Sequence, residues 1–269
     1  MAIAFKADGG YNNAGQVTGT ATVTLTVPTN TNGDLLIMFA SSLDSTSAKN
    51  ITTPAGWTSY TSIASNGDSL GPFFTKLHIF YRYASSEPGT YNVTCSGMAG
   101  GAASGIEGNI RSYSGASGPF GVGNPFNSNN SVITTNAGKT TSTVPAFTET
   151  FDPGELYVVI GLGQLGGTNP SVSNYNPATS DSFFNAGNFN SYNIADYSPS
   201  SSPGSMVLTW SSTLGGVNDA IALAFTLLPT LLWVTSPNIV QPTITTLSLI
   251  NKTSQASVTR KRKNLLGKF

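Results

Sequence analysis

Apolar and polar residues alternate with a period of two in most segments of this sequence. In Gly19–Val27, apolar residues occupy the odd positions and threonines occupy the even positions. This pattern places the two sets on opposite faces of a β-strand. Gly33–Ala40 is a continuous apolar run, which predicts a strand that is covered on both faces. No segment shows the 3.6-residue apolar stripe of an amphipathic helix, so the chain is predicted to be all-β.

The scarcity of charged residues supports the same fold class. Only 9% of the residues are charged, against about 25% in an average globular domain. A helical protein needs charged residues on its outer faces, so an all-α fold is excluded. Aromatic residues make up 10% of the chain, which argues against disorder. Further strands are predicted at Trp57–Ile63, Phe73–Ala84, Thr90–Cys95, Ile106–Tyr113, Glu155–Gly163, Met206–Trp210 and Val217–Leu228. We expect an antiparallel, jelly-roll-like β-sandwich over residues 1–228, with an extended C-terminal arm over residues 229–269.

Two similar segments suggest that the sandwich has two related halves. Gly33-Asp34-Leu35 follows a Val-Pro pair and opens a long apolar strand, and Gly154-Glu155-Leu156 does the same. The distance from the Val-Pro pair differs between them. They predict corresponding strands in two sheet halves.

The charges are unevenly distributed along the chain. Six of the twelve basic residues lie in the last eighteen positions, and all twelve acidic residues precede them. The tail contains the strand-like segment Pro242–Ile250 and a basic cluster. This asymmetry predicts an anchor to another protein, although a solvated terminus is the simpler alternative. The anchor residues predicted are Ile244, Leu247, Leu249, Arg260, Lys261, Arg262 and Lys263.

The sequence offers little catalytic or metal-binding chemistry. A single cysteine, Cys95, and a single histidine, His78, exclude cysteine-based zinc sites and multi-histidine sites. We expect His78 to lie on a polar strand face at the surface and Cys95 to be a small buried residue. Gly161–Gly166 matches the dinucleotide fingerprint but is followed by a turn-rich segment instead of a helix. We therefore predict no cofactor, no metal and no catalytic residue.

One long segment is a candidate binding surface. Leu165–Gly204 shows little strand character and combines aromatic residues with many asparagines and serines. Such a composition suits contact with a neighbouring subunit, sealing of one end of the sandwich, or glycan binding. The candidate contact residues are Tyr175, Phe183, Phe184, Phe189, Tyr192 and Tyr197.

A set of spaced motifs resembles a known class of β-sandwich module. The motifs, in chain order, are Val27-Pro28 with Gly33–Leu36, Pro54-Ala-Gly-Trp57, Phe80–Ala84 with Glu87-Pro88 and Tyr91, Ile110–Gly115 and Asp219–Ala224. Together they are similar to modules of phage and prophage virion proteins, which occur in tail, fibre and capsid-decoration proteins. The resemblance implies a fold and a virion context but no active site.

These observations predict a non-enzymatic viral structural protein, a capsid decoration or tail component that acts through subunit contacts. The alternative is a receptor- or carbohydrate-binding module of a tail fibre. The composition is similar to that of exported adhesins, but Met1–Lys6 shows no signal-peptide pattern. The two observations together predict that the chain is assembled in the host cytoplasm and is finally located in the virion. The partners expected are other virion proteins and further copies of the chain, with a trimer favoured and a glycan as an option. Nucleic acid and membrane are not expected as partners.

Overall fold

Every element in the described part of this computed structural model is a β-strand. The structure describes residues 2–15, 17–64, 74–101, 104–116, 124–126, 131–135, 139–144, 155–163, 172–176, 181–186, 191–197, 206–214 and 220–229. These residues contain sixteen strands and no helix, and all strand pairs are antiparallel. The all-β, antiparallel prediction is therefore confirmed.

The first half of the chain builds two sheets from eight strands. The strands are β1 (Ala4–Asp8), β2 (Asn12–Gly15), β3 (Thr18–Thr26), β4 (Leu35–Asp44), β5 (Thr58–Ala64), β6 (Phe74–Tyr83), β7 (Thr90–Ala99) and β8 (Gly105–Ser114). Inner sheet 1 has the order β1-β8-β4-β6-β5, and β2 also pairs with β8. Outer sheet 1 consists of β3 and β7.

The second half repeats this arrangement. Its strands are β9 (Ser131–Thr135), β10 (Lys139–Val144), β11 (Leu156–Gly163), β12 (Val172–Asn176), β13 (Asp181–Ala186), β14 (Ser191–Tyr197), β15 (Met206–Leu214) and β16 (Ala220–Leu227). Inner sheet 2 has the order β13-β14-β11-β16-β9, and outer sheet 2 has the order β10-β15-β12.

The two halves share one strand plan. Inner sheet 2, taken from β9 to β13, matches inner sheet 1 from β1 to β5, strand for strand and in the same chain order. Outer strands β3 and β7 correspond to β10 and β15. The extra strand β12 has a small counterpart, because Ile51 forms an isolated bridge with Cys95 on β7. Leu35 begins β4 and Leu156 begins β11, and these are the middle strands of the two inner sheets, so the predicted correspondence of the two strands is confirmed.

Side-chain burial follows directly from the sequence periodicity. On β3, Ala21, Val23 and Leu25 are buried and the threonines between them are exposed. Every residue of β4 is buried, as the continuous apolar run predicted. Its odd-numbered residues join the central core, which lies between the two inner sheets. Its even-numbered residues join the first-half core, which lies between inner sheet 1 and outer sheet 1.

Two sequence-based expectations need correction or remain open. The segment Leu165–Gly204 contains β12, β13 and β14, so the prediction of little strand character was wrong. Its Asn- and Ser-rich strands are held by backbone pairing with β11 and β15, which a search for apolar periodicity does not detect. The boundary at residues 228/229 stays a prediction, because residues 230–269 lie outside the described residues.

Candidate functional site

Two of the spaced sequence motifs meet in one cluster around Arg82. The Arg82 Nη2 atom lies 3.0 Å from Glu87 Oε1, and Nη1 donates a 2.7 Å hydrogen bond to the Tyr91 hydroxyl. The Tyr91 hydroxyl in turn donates a short hydrogen bond to Glu87 Oε2. The guanidinium also lies over the rings of Trp57, at 6.0 Å, and Tyr91, at 5.5 Å. Arg82 is therefore held between the Glu87 carboxylate and the rings of Trp57 and Tyr91.

The turns on either side build this Arg82 cluster. Gly56 adopts a φ of 77°, and an added Cβ there would lie 3.1 Å from Arg82 Nη1. The turn places Trp57 in the first-half core, where it is 6% exposed. Burial first, and then the hydrogen bond to Glu87, raise the pKa of Tyr91 to about 12. The Tyr91 hydroxyl therefore stays protonated and links Arg82 to Glu87, so the cluster stabilises the turn between β6 and β7.

A second cluster is a polar stripe on β8 that faces the central core. Glu107, Asn109 and Arg111 are each at most 1% exposed. Tyr11 donates a 2.5 Å hydrogen bond to Glu107 Oε2, and Asn109 Nδ2 donates a 2.7 Å bond to Asp8 Oδ1. This β8 polar stripe therefore ties the N-terminal strands to inner sheet 1.

Arg111 also connects the two halves of the molecule. Its Nε lies 3.4 Å from Asp8 Oδ2, and its Nη1 lies 3.3 Å from Asp196 Oδ2 on β14. The guanidinium carbon lies 4.0 Å from the centre of the Phe5 ring. Tyr113 donates a 3.2 Å hydrogen bond to Asp196 Oδ1, and burial, followed by the Asp196 charge, raises the pKa of Tyr113 well above its ordinary value. Arg111 and Tyr113 on β8 therefore both bind the Asp196 carboxylate of inner sheet 2.

The stripe breaks the internal repeat at the level of side chains. Residues Arg111, Asn109 and Glu107 pair with Ile37, Phe39 and Ser41 on β4. The corresponding residues on β16 are Phe225, Leu223 and Ile221, which pair with Val158, Ile160 and Leu162 on β11. The same backbone plan therefore carries a polar strand in one half and an apolar strand in the other.

The single histidine and the single cysteine both bind the backbone of the loop after β4. His78 is 5% exposed, so the predicted surface position was wrong; Phe80 stacks beside it on the same covered face. Its Nε2 atom accepts a hydrogen bond from the Ile51 backbone N–H, and Cys95 Sγ donates to the Asn50 carbonyl. Burial, followed by the Asp44 charge, raises the pKa of Cys95 to about 11, so the thiol is not a nucleophile at neutral pH. Its predicted burial is confirmed.

The exposed face of outer sheet 1 is an uncharged array of hydroxyl and amide side chains. Four cross-strand pairs form this threonine face: Thr20–Ser96, Thr22–Thr94, Thr24–Asn92 and Thr26–Thr90. Seven of the eight residues are exposed and Thr94 is half-buried. Thr24 donates a 2.8 Å hydrogen bond to Asn92 Oδ1. The face is a rigid, neutral surface with many hydrogen-bonding groups.

The predicted contact residues are distributed over three strands. Tyr175 lies on β12, Phe183 and Phe184 lie on β13, and Tyr192 and Tyr197 lie on β14. Phe183 pairs with Ile194, and Phe184 pairs with Asn193. Phe189 and all the predicted anchor residues, from Ile244 to Lys263, lie outside the described residues.

Comparisons with known proteins found no relative. No protein-family model, curated protein or solved structure matched the chain. Among the described residues, no three histidine, cysteine or carboxylate side chains are grouped as a metal site requires. The described part of the chain also has no helix with the length and apolar character needed to cross a membrane.

Proposed function

We propose that this chain is a non-enzymatic structural component of a virus particle, a capsid decoration or tail protein. It acts in the virion through contacts between copies and with other virion proteins, after assembly in the host cytoplasm. Its halves have jelly-roll-like connections, and residues 229–269 form an extended arm. The proposal is based on two observations. The threonine face is uncharged, and the charged side chains that the structure describes have partners within the chain.

The charged side chains that the structure describes all have partners within the chain. Ion pairs join Lys6 to Asp34, Lys49 to Asp44, Arg82 to Glu87, and Arg111 to Asp8 and Asp196. Lys76 donates to Asn50, Glu107 accepts from Tyr11 and Ser41, and Glu155 is buried. The threonine face itself carries no charged residue, so two copies that approach through it do not repel each other there.

The threonine face suits a repeated contact for a second reason. Cross-strand hydrogen bonds already hold part of its side chains, so ordering them in an interface costs little additional conformational entropy. Its hydroxyl and amide groups can exchange bonds to water for bonds to another copy. An interface of this chemistry depends on shape and hydrogen bonding and is sensitive to inserted charge.

The experiment inserts like charges into this face and follows self-association and particle incorporation. In the double variant Thr22→Lys/Thr24→Lys, we expect sedimentation velocity to show a shift from oligomer towards monomer. The matched control, Ser47→Lys/Thr53→Lys, adds the same charge at exposed positions between β4 and β5 and should assemble normally. Purified particles from a strain that encodes each variant should retain the control protein and lack the double variant.

Three outcomes would overturn the proposal. Wild-type protein that stays monomeric at all concentrations and is absent from purified particles would exclude a structural role. Monomeric protein that binds a defined oligosaccharide on a glycan array would instead establish the carbohydrate-binding alternative. Hydrolysis of a polysaccharide by the wild-type protein would exclude a non-enzymatic role.

A further inference from the structure

Strand β13 forms an unusually regular edge of inner sheet 2. It is the outermost strand of that sheet, and six consecutive residue pairs join it to β14 without a register shift. Its counterpart in the first half, β5, is also outermost. The pairing of β5 with β6 shifts between Ser59 and Thr61. The same position in the two halves therefore carries a regular edge in one and a bulged edge in the other.

Bulges are a common protection against unwanted strand pairing. A regular edge strand presents a row of backbone donors and acceptors to any extended segment, and a bulge twists that row away. Both outermost strands of inner sheet 1 have such a shift, β1 between Phe5 and Ala7 and β5 between Ser59 and Thr61. In inner sheet 2, β9 is also regular, but it runs beside β10 of outer sheet 2. Within the described residues, β13 pairs with β14 alone.

We propose that β13 accepts an added antiparallel strand from the C-terminal extension of a second copy, residues Ile244–Ile250. The inference rests on the proposed function, in which copies assemble, and it assigns one contact between them. Strand addition of this kind supplies backbone hydrogen bonds as well as pockets for alternate side chains.

The chain itself argues for this segment as the occupant. Ile244–Ile250 has seven uncharged residues, and β13 is of similar length, with six residues. Sixteen residues separate Leu227, the end of β16, from Ile244, and at about 3.3 Å per extended residue they reach roughly 50 Å. The segment can therefore extend to a neighbouring molecule.

The charges at the ends of the two segments are complementary. Asp181 begins β13, and Lys252 follows Ile250 by two residues. In an antiparallel pair, the end of the added segment lies beside the beginning of β13, which brings Lys252 towards Asp181. Opposite charges at that end favour this direction over a parallel one.

Mixed-chain disulfide trapping tests the contact. One chain carries Ser182→Cys or Phe184→Cys on β13, and the other carries Leu247→Cys or Leu249→Cys; Cys95 is buried and remains in all chains. After mild oxidation of a one-to-one mixture, we expect a disulfide-linked dimer of the two different chains on a non-reducing gel. The matched control replaces the β13 chain by Ser59→Cys, on the bulged edge β5, and should give no such dimer.

A second pair of variants measures the contribution of the contact to assembly. Phe184→Lys places a charge on the edge, and Leu247→Pro removes a backbone donor from the segment. Each variant should lower the association constant at least tenfold. The double variant should associate no more weakly than either single variant, because both substitutions remove the same contact. Ser62→Lys on β5 is the control and should leave the association constant unchanged.

The possible failures are distinguishable. If wild-type chains self-associate but neither disulfide nor edge variant has an effect, the β13 contact is wrong and the proposed function stands. If a chain that carries both cysteines forms only an intramolecular disulfide, and the one-to-one mixture forms no disulfide-linked dimer, the added strand does not come from a second copy. If wild-type chains do not associate at all, the proposed function itself fails.

Discussion

His78 shows how the surroundings of a residue, more than its type, set its charge. Burial is the main cause that lowers the pKa of His78 from 6.5 to about 4, and the nearby Lys76 charge acts in the same direction. The imidazole accepts the Ile51 N–H at 3.3 Å, which requires a neutral Nε2. His78 is thus a neutral hydrogen-bonding residue that fixes the loop after β4.

The first prediction is that His78 makes folding pH-dependent between pH 6.5 and pH 4. In this window the unfolded chain binds a proton at its only histidine and the folded chain does not, so the free energy of unfolding falls as the pH falls. From pH 7 to pH 5 this contribution is about 2 kcal/mol. Denaturant titrations should show a smaller loss for His78→Gln, and the imidazole proton signals should titrate near pH 4.

Asp44 provides the control for this prediction. Burial opposes ionisation of Asp44, but hydrogen bonds from the Ala99 N–H, Thr46 and Ser104 outweigh it and lower the pKa from 3.8 to about 2. Its stabilising contribution is complete above pH 3.8 and is lost as the pH falls towards 2. Asp44→Asn should therefore keep the wild-type loss between pH 7 and pH 5. An equal loss in wild type and His78→Gln would contradict the assignment.

At the scale of strands, the alternation of apolar and polar residues predicted which side chains of a single strand are buried. It did not predict the burial that arises when a second sheet packs on the polar face of a strand. The alternation of β3 and the apolar run of β4 were sufficient to predict their burial. On β8, Glu107, Asn109 and Arg111 alternate with Ile106, Gly108 and Ile110, a pattern typical of one solvent-facing side. Only the packing of a second inner sheet buries that side. Phe80, two residues from His78, was the sequence signal that this face of β6 is also covered.

The second prediction concerns Gly108 on β8, which packs closely against β4 of its own sheet and against Leu25 of outer sheet 1. A Cβ at Gly108 would lie 2.6 Å from the Phe39 carbonyl oxygen and 3.1 Å from Leu25 Cδ1. Because Phe39 O belongs to the backbone of the central strand β4, it cannot move aside easily. Gly108→Ala should therefore lower the free energy of unfolding by about 1–3 kcal/mol, as measured by chemical denaturation.

The matched control for Gly108 is Gly89, at the turn before β7. A Cβ at Gly89 would meet no atom within 4 Å, and its φ is not positive. Gly89→Ala should therefore be neutral or slightly stabilising. Equal destabilisation by the two variants would show that close packing of the sheets is not the cause.

At the scale of the molecule, the repeat gives two similar halves that share one core. Leu35, Ile37 and Phe39 from the first half pack with residues of β11 and β16 from the second half. The Arg111–Asp196 ion pair crosses the same boundary. The Gly-acid-Leu segments indicated two halves from the sequence, but the shared core depends on contacts between residues more than eighty positions apart. Such contacts leave no periodic signal in the sequence.

The last prediction is that the two halves unfold together. Phe225 on β16 is fully buried, and its ring lies 6.5 Å from that of Phe39, 5.8 Å from that of Tyr60 and 5.1 Å from that of Phe126. Because these three rings belong to segments outside the second-half strands, Phe225→Ala should destabilise both halves, by about 3–5 kcal/mol. Hydrogen exchange should show an equal loss of protection in β4 and β11, with a single thermal transition. The exposed variant Thr22→Ala should leave both strands protected, and a loss in β11 alone would show that the halves are independent folding units.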